Sequence, residues 1–262
     1  MIALGQAGFA HDVAPVFVDV ELVVGAGEVV VISGPAGAGS STLVELLTGR
    51  RFATGKVMIA GRELARLRES SRLRLRRRLG VIPQELALFP GLTALANVAV
   101  ALEVAGIARR ERDARAREAL AAVDVAPDRA IAELAMAARQ RVAWARAFVR
   151  KPDILIADQP TCHQDGDGAE QFAERVAERV ADGTAAVILA RDPHRLAAAA
   201  RRGWRALTIH DHRLVDPAAL VAEELDAAPY VEVEIDRPAA IAPGGIPNLL
   251  PFPVARSAGN RR

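Results

Sequence analysis

Lysine is almost missing from this chain. It occurs only at Lys56 and Lys151, so nearly all of the positive charge is arginine. Cysteine occurs once, at Cys162, which excludes an intrachain disulfide and a metal site built on cysteines. Aromatic residues make up 4% of the sequence, so a core has to be assembled from Ala, Val, Leu and Ile, which the 51% hydrophobic content supplies. A long apolar run is lacking as well. The stretch 92–108 carries Asn97, Glu103 and Gly106 and stops at Arg109-Arg110, too short and too polar to span a bilayer. The first residues, Met1-Ile2-Ala3-Leu4-Gly5-Gln6, have neither a basic region nor a long apolar segment, so no signal peptide is expected. Net charge is only +2 over 262 residues, which gives no global argument for nucleic acid. One large α/β domain or two small ones, in the cytosol, is the expectation.

What is present is a glycine-rich loop. Gly34-Pro35-Ala36-Gly37-Ala38-Gly39-Ser40-Ser41-Thr42 fits G-x-x-x-x-G-K-[ST] at every diagnostic position except that Ser40 stands where lysine belongs. The loop follows the apolar run Val29-Val30-Val31-Ile32 and leads into Leu43-Val44-Glu45-Leu46-Leu47. That order is strand, loop, helix. Glycines let backbone N–H groups turn inward around phosphates, and a helix N-terminus adds positive potential. The cradle is kept and the point charge is gone.

Along the rest of the chain, strands are predicted at 16–24, Val29–Ser33, 56–61, 81–84, Ile154–Asp158, Ala185–Ala190 and 206–209. Helices are predicted at 62–78, over much of 92–123, at 138–149 and at 169–181. Strands alternating with helices imply a parallel sheet covered on both faces. The arginines of 62–78 read as a solvated helix face with snorkelling stems rather than a nucleic-acid surface. His163, His194, His210 and His212 lack ligand spacing, and Cys162 has no evident partner base. An acidic stretch at 223–236 is followed, from about 238, by Pro, Gly, Ala and Asn without periodicity, read as a mobile tail.

Asp158 ends an apolar strand downstream of the loop, and Ser41 is the matching hydroxyl; in phosphate-loop hydrolases this pair holds Mg²⁺. Further motifs carry a family resemblance. Asp158-Gln159-Pro160-Thr161 resembles the D-E-P-T of ATP-binding-cassette (ABC) ATPase subunits. Arg141-Val142-Ala143-Trp144-Ala145-Arg146-Ala147 is similar to the helix after their signature, and Gln84 falls at their Q-loop glutamine. The resemblance covers roughly residues 1 to 215, and within it 79–99, 101–106 and 201–209 look closest to the cell-division ATP-binding subunits of the FtsE type. It implies an α/β fold: a P-loop NTPase nucleotide-binding domain with a RecA-like core, an antiparallel β subdomain and a helical subdomain at about 86–150. Residues 216–262 are then a C-terminal extension.

Several family positions are substituted. Ser40 replaces the loop lysine and Gln159 the general-base glutamate; Arg191 stands at the switch histidine. Leu134-Ala135-Met136-Ala137-Ala138 occupies the place of L-S-G-G-Q, and Cys162-His163-Gln164-Asp165 that of the D-loop. At the adenine-stacking position His11 stands for the usual tyrosine, with Phe9 as a nearby alternative. Losing one charge-assisted contact costs about 1.5–3 kcal/mol, and losing a general base about 10²- to 10⁴-fold in rate. The resemblance therefore implies ATP and Mg²⁺ as cofactors, held by Gly34, Pro35, Ala36, Gly37, Ala38, Gly39, Ser40, Ser41, Thr42, Gln84 and Asp158, with binding weak or lost and hydrolysis weak or absent. Arg191 is either a stand-in for the missing charge at the γ-phosphate or a surface arginine. The implied partners are a second cassette, in a homodimer or heterodimer, and an integral membrane FtsX-like or ABC permease subunit that holds the chain at the inner face of the membrane; no nucleic acid is implied. Alternatives are a slow ATPase subunit of a lipoprotein-release or macrolide-export transporter, and a regulatory interaction module using the acidic stretch and basic tail.

Overall fold

The computed structural model describes residues 1–12, 14–191 and 201–220. In chain order its elements are β1 (Ile2–His11), β2 (Ala14–Val24), β3 (Val29–Ser33), α1 (Ser40–Leu47), β4 (Thr54–Ile59), β5 (Arg62–Glu63), α2 (Glu69–Arg76), β6 (Leu79–Ile82), α3 (Ala94–Glu103), α4 (Arg109–Ala121), α5 (Met136–Phe148), β7 (Ile154–Asp158), α6 (Gly166–Ala181), β8 (Ala185–Ala190), β9 (Arg205–His210) and β10 (Arg213–Val215).

The strands make two sheets. An antiparallel one runs β2-β1-β4-β5, and a second runs β10-β9-β3-β8-β7-β6. The second is parallel except for the β9–β10 hairpin at its edge. Val18 N donates to His212 O at 2.9 Å, tying β2 to the β9–β10 turn and so joining the sheets.

The central strands are apolar up to the last residues of β3 and β7, Ser33 and Asp158, because both faces are covered. Val30, Ile32, Ile154, Ile156, Val187 and Leu189 face one cluster, shared with α1 and the antiparallel sheet. Val29, Val31, Leu155, Ala157, Ala186 and Ile188 face the other, shared with the α3–α6 side. Trp144 is fully buried in that second cluster. Its indole N–H donates to Pro160 O at 2.7 Å, and its ring lies 5.1 Å from Phe172.

Three local outcomes differ from the sequence reading. The helix expected over 62–78 is an α-helix only at Glu69–Arg76, preceded by a single 3-10 turn at Leu64–Arg66. Ala60 and Gly61 take positive φ and fold the chain back, so that Arg62 and Glu63 pair with Ile59 and Met58. The arginine face is nevertheless solvated: Arg62, Arg66, Arg68, Arg74 and Arg77 are exposed. Second, Ile2–His11 forms a strand although its Ala, Gly and Gln content carries no strand pattern. It pairs on both edges, with β2 and β4, across several register shifts. The bulge at Gln6 sits on Gly55, where a Cβ would lie 2.1 Å from Gln6 O. The helical stretch expected over 92–123 is split into α3 and α4. The tail from 238, the acidic stretch and His194 lie outside the described residues.

Candidate functional site

The glycine loop connects the C-terminal end of β3 to α1. Gly37 and Gly39 have φ of 84° and 100°. At Gly39 the need for glycine is also steric, since a Cβ there would lie 2.6 Å from Val16 Cγ1 on β2. Around Gly37 nothing approaches within 4 Å, so the middle of the loop borders open space. Pro35, Ala36 and Gly37 are exposed, Gly34 and Thr42 are buried, and Ala38, Gly39 and Ser40 are half-buried. Ala38 N returns to Pro35 O at 3.1 Å. Ser40, Ser41 and Thr42 open α1, where N–H groups have no acceptor within the helix.

The loop meets Asp158. Ser41 Oγ donates to Asp158 Oδ2 at 3.2 Å, bridging 117 positions of sequence. Asp158 is 3% exposed, and its second oxygen, Oδ1, is buried with no hydrogen-bond partner. Burial pushes the Asp158 carboxyl above its ordinary range; the Ser41 hydroxyl, the Arg191 charge and the Gln159 amide pull the other way, and burial wins. Gln159 Nε2 is itself buried without a hydrogen bond, so its effect on Asp158 is that of a nearby dipole.

Arg191 directly follows β8, next to β7, and is exposed. Gln84 is exposed two residues beyond β6, whose Ile82 pairs with Ala157. The segment carrying Gln84 is held by two residues whose anchoring role the sequence did not reveal. Arg146 donates to Leu86 O at 2.7 Å and to Ala87 O at 2.6 Å. The fully buried Asn97 accepts from Phe89 N at 2.7 Å and donates to Phe89 O at 3.1 Å. His11 ends β1, exposed, with its ring edge-on to Phe9 at 5.1 Å. Among the other histidines, His212 lies in the β9–β10 turn at φ 64°.

A glutamine clamp also escaped the sequence reading. Gln140 Nε2 donates to Gln159 O at 3.2 Å and to Cys162 Sγ at 3.3 Å, while its Oε1 accepts from His163 N at 3.2 Å and from Gln164 Nε2 at 3.1 Å. Gln164 Nε2 also reaches Ala137 O at 2.9 Å. The start of α5 is thereby fixed to the segment after β7. Gln159 holds φ 50°, and its N donates to Leu189 O at 2.8 Å. Asp165 caps α6, accepting from Gly168 N at 2.8 Å. Ala135 caps α5 without a side-chain bond, and Met136 beside it is exposed. Their signals were polar residues inside apolar surroundings, readable only with the fold known.

A glycine loop opening a helix beside a strand-end carboxylate, flanked by an antiparallel sheet and a helical group, defines a cassette of the phosphate-loop class. The sequence profile of the ABC transporter family matches residues 17–162, and the chain belongs to that family. Lipoprotein-releasing system ATP-binding protein LolD 1 of Rhodospirillum rubrum is 35% identical over 210 residues, which are 78% of this chain and 91% of that protein. Taurine import ATP-binding protein TauB of Pseudomonas savastanoi is 36% identical over 64% of this chain, and the match spans 62% of that protein's length. Among solved structures, the dimeric bacterial ABC transporter cassette MJ0796 superposes with a TM-score of 0.74 at 29% identity, covering 82% of this chain and 96% of that one. The ABC ATPase fold expected from sequence is the fold observed.

Proposed function

We propose that this chain is an ATP-binding cassette subunit that holds a magnesium nucleotide in its glycine loop, hydrolyses it weakly or not at all, and acts as a scaffold on a membrane-spanning partner. One observation supports the nucleotide half above others: Asp158 Oδ1 is buried without a partner beside the Ser41 hydroxyl. An oxygen in that state costs free energy unless a cation or donor arrives from outside. Ser41, Asp158 and Gln84 would hold Mg²⁺, which would screen phosphate charge; residues 34–42 would cradle the phosphates. His11 or Phe9 would stack on the base. Residues 1–215 would form the cassette unit, with its helical part at about 86–150, and 216–262 an extension.

The substituted positions support weak hydrolysis. Ser40 brings no charge to the terminal phosphates, and the Gln159 amide cannot take up the proton of an attacking water. Ala135, in place of a signature serine, offers no hydroxyl across a dimer. Arg191 is the one replacement that adds a cation near Asp158. The finer reading is a scaffold of the FtsE type on an FtsX-like partner. A second reading, a slow ATPase subunit of a lipoprotein-release system, is supported by the likeness to LolD 1 over 91% of that protein's length.

The experiment is calorimetric titration with MgATP, followed by turnover assays on the parent and Gln159→Glu. Saturable binding with no turnover in the parent, and turnover gained by Gln159→Glu, supports the scaffold. Steady turnover by the parent favours the transporter reading, and an absence of binding at millimolar MgATP overturns the nucleotide half.

A further inference from the structure

On the α4–α5–α6 side of the molecule lies a cavity of about 440 Å³ that the nucleotide reading leaves unused. Its volume falls within the usual range for small-molecule sites. Ala119, Val123 and Phe148 give it apolar walls, and its charged lining is five cations, Arg115, Arg150, Lys151, Arg175 and Arg179, against two carboxylates, Glu118 and Glu178. Two of these are committed elsewhere: Arg115 pairs with Glu111 at 2.6 Å and Arg179 with Asp182 at 3.3 Å. Arg175 is half-used, with Nη1 on Glu178 at 3.1 Å and Nε buried without a partner. Arg150 and Lys151 have no ion pair among the described residues, and both of the chain's unpaired cations here sit together just after α5.

We propose that this cavity binds a small organic oxyanion, a phosphate or carboxylate head on a short apolar body, with the head on Arg150, Lys151 and Arg175 and the body against Ala119, Val123 and Phe148. Guanidinium groups match such heads with two parallel N–H bonds. Burial and the neighbouring Arg77 both lower Arg150 from its ordinary value, so an anion there relieves a charge that is crowded as well as unpaired. The attraction of cations to the C-terminal end of a helix accounts for arginine near α5, but not for the apolar walls or the buried Arg175 Nε. The site is separate from the glycine loop: Lys151 precedes β7, and Asp158 closes it.

The test is titration of the full chain with hexyl phosphate, hexanoate, hexan-1-ol and inorganic phosphate. Saturable binding of at least one hexyl anion, at least about tenfold tighter than the alcohol or free phosphate, is expected. The tighter of the two anions identifies the head group. Arg150→Gln with Lys151→Gln should weaken it by at least about tenfold, and Lys151→Gln alone, at an exposed position, should weaken it measurably. Gly37→Val in the glycine loop should leave it unchanged. Equal binding of hexan-1-ol, unchanged binding by the double variant, or loss of binding in Gly37→Val alone overturns the proposal.

Discussion

The two ends of β7 carry opposite unsatisfied charge. At its C-terminal end Asp158 is a buried carboxyl with a free oxygen and, among the described residues, only the exposed Arg191 for a cation. Before its N-terminal end, Arg150 and Lys151 are cations without ion-pair partners among the described residues. The five residues of β7, Asp158 included, span roughly 17 Å of chain from one region to the other. Neither charge can satisfy the other at that distance. Each is therefore a standing cost to the fold, the pattern expected where a site is kept for a ligand rather than for stability.

The largest way to break this comparison acts on what holds both ends. α5 begins at the clamp beside Gln159 and ends at Phe148, two residues before Arg150, and Trp144 pins it to Pro160. Trp144→Ala should destabilise by about 3–5 kcal/mol in urea unfolding and disturb both ends together. Next is Gly39→Ala, which forces a Cβ toward Val16 Cγ1 at φ 100°. A loss of about 2 kcal/mol is expected, with the oxyanion cavity unaffected.

Asp158→Asn sharpens the acidic side. A carboxyl raised above its unfolded value holds its proton more tightly when folded, so its contribution to stability is present at low pH and falls as pH rises through the raised value. Removing it should stabilise the ligand-free chain by about 1 kcal/mol at neutral pH and flatten the pH dependence of melting, while weakening MgATP binding. A destabilised Asp158→Asn chain would mean that Oδ1 has a partner in solution. The smallest effect falls on the basic side: Arg150→Gln should change stability by less than about 0.5 kcal/mol, toward greater stability, by differential scanning calorimetry.

The parts most legible in the sequence were those encoded locally. Val29–Ser33, Ile154–Asp158 and Ala185–Ala190 are recovered end to end, because an unbroken apolar run rich in β-branched residues between polar flanks has few alternatives as a short element. Ser41 and Asp158 were also legible as a pair, since loop and strand end each carry a pattern. β1 was not, because its Ala-Gly-Gln sequence becomes a strand only through partners on both edges. Arg62 and Glu63 have helical composition, but the Ala60-Gly61 turn draws them into a strand pair with β4, and Leu64–Arg66 after them keeps only one 3-10 turn. The Gln140 clamp and the Asn97 and Arg146 anchors were invisible for a different reason: each joins segments whose neighbourhood exists only after folding.

The alternation of Ile154, Leu155, Ile156 and Ala157 has a consequence for how this chain can change over time. The sheet is a party wall. Substitutions at 154 and 156 disturb only the aliphatic room behind α1, and those at 155 and 157 only the room furnished around Trp144. Damage on one side is not compensated on the other, and repair need not cross the wall, so the two rooms can drift and be refitted independently while the partition between them stays the same.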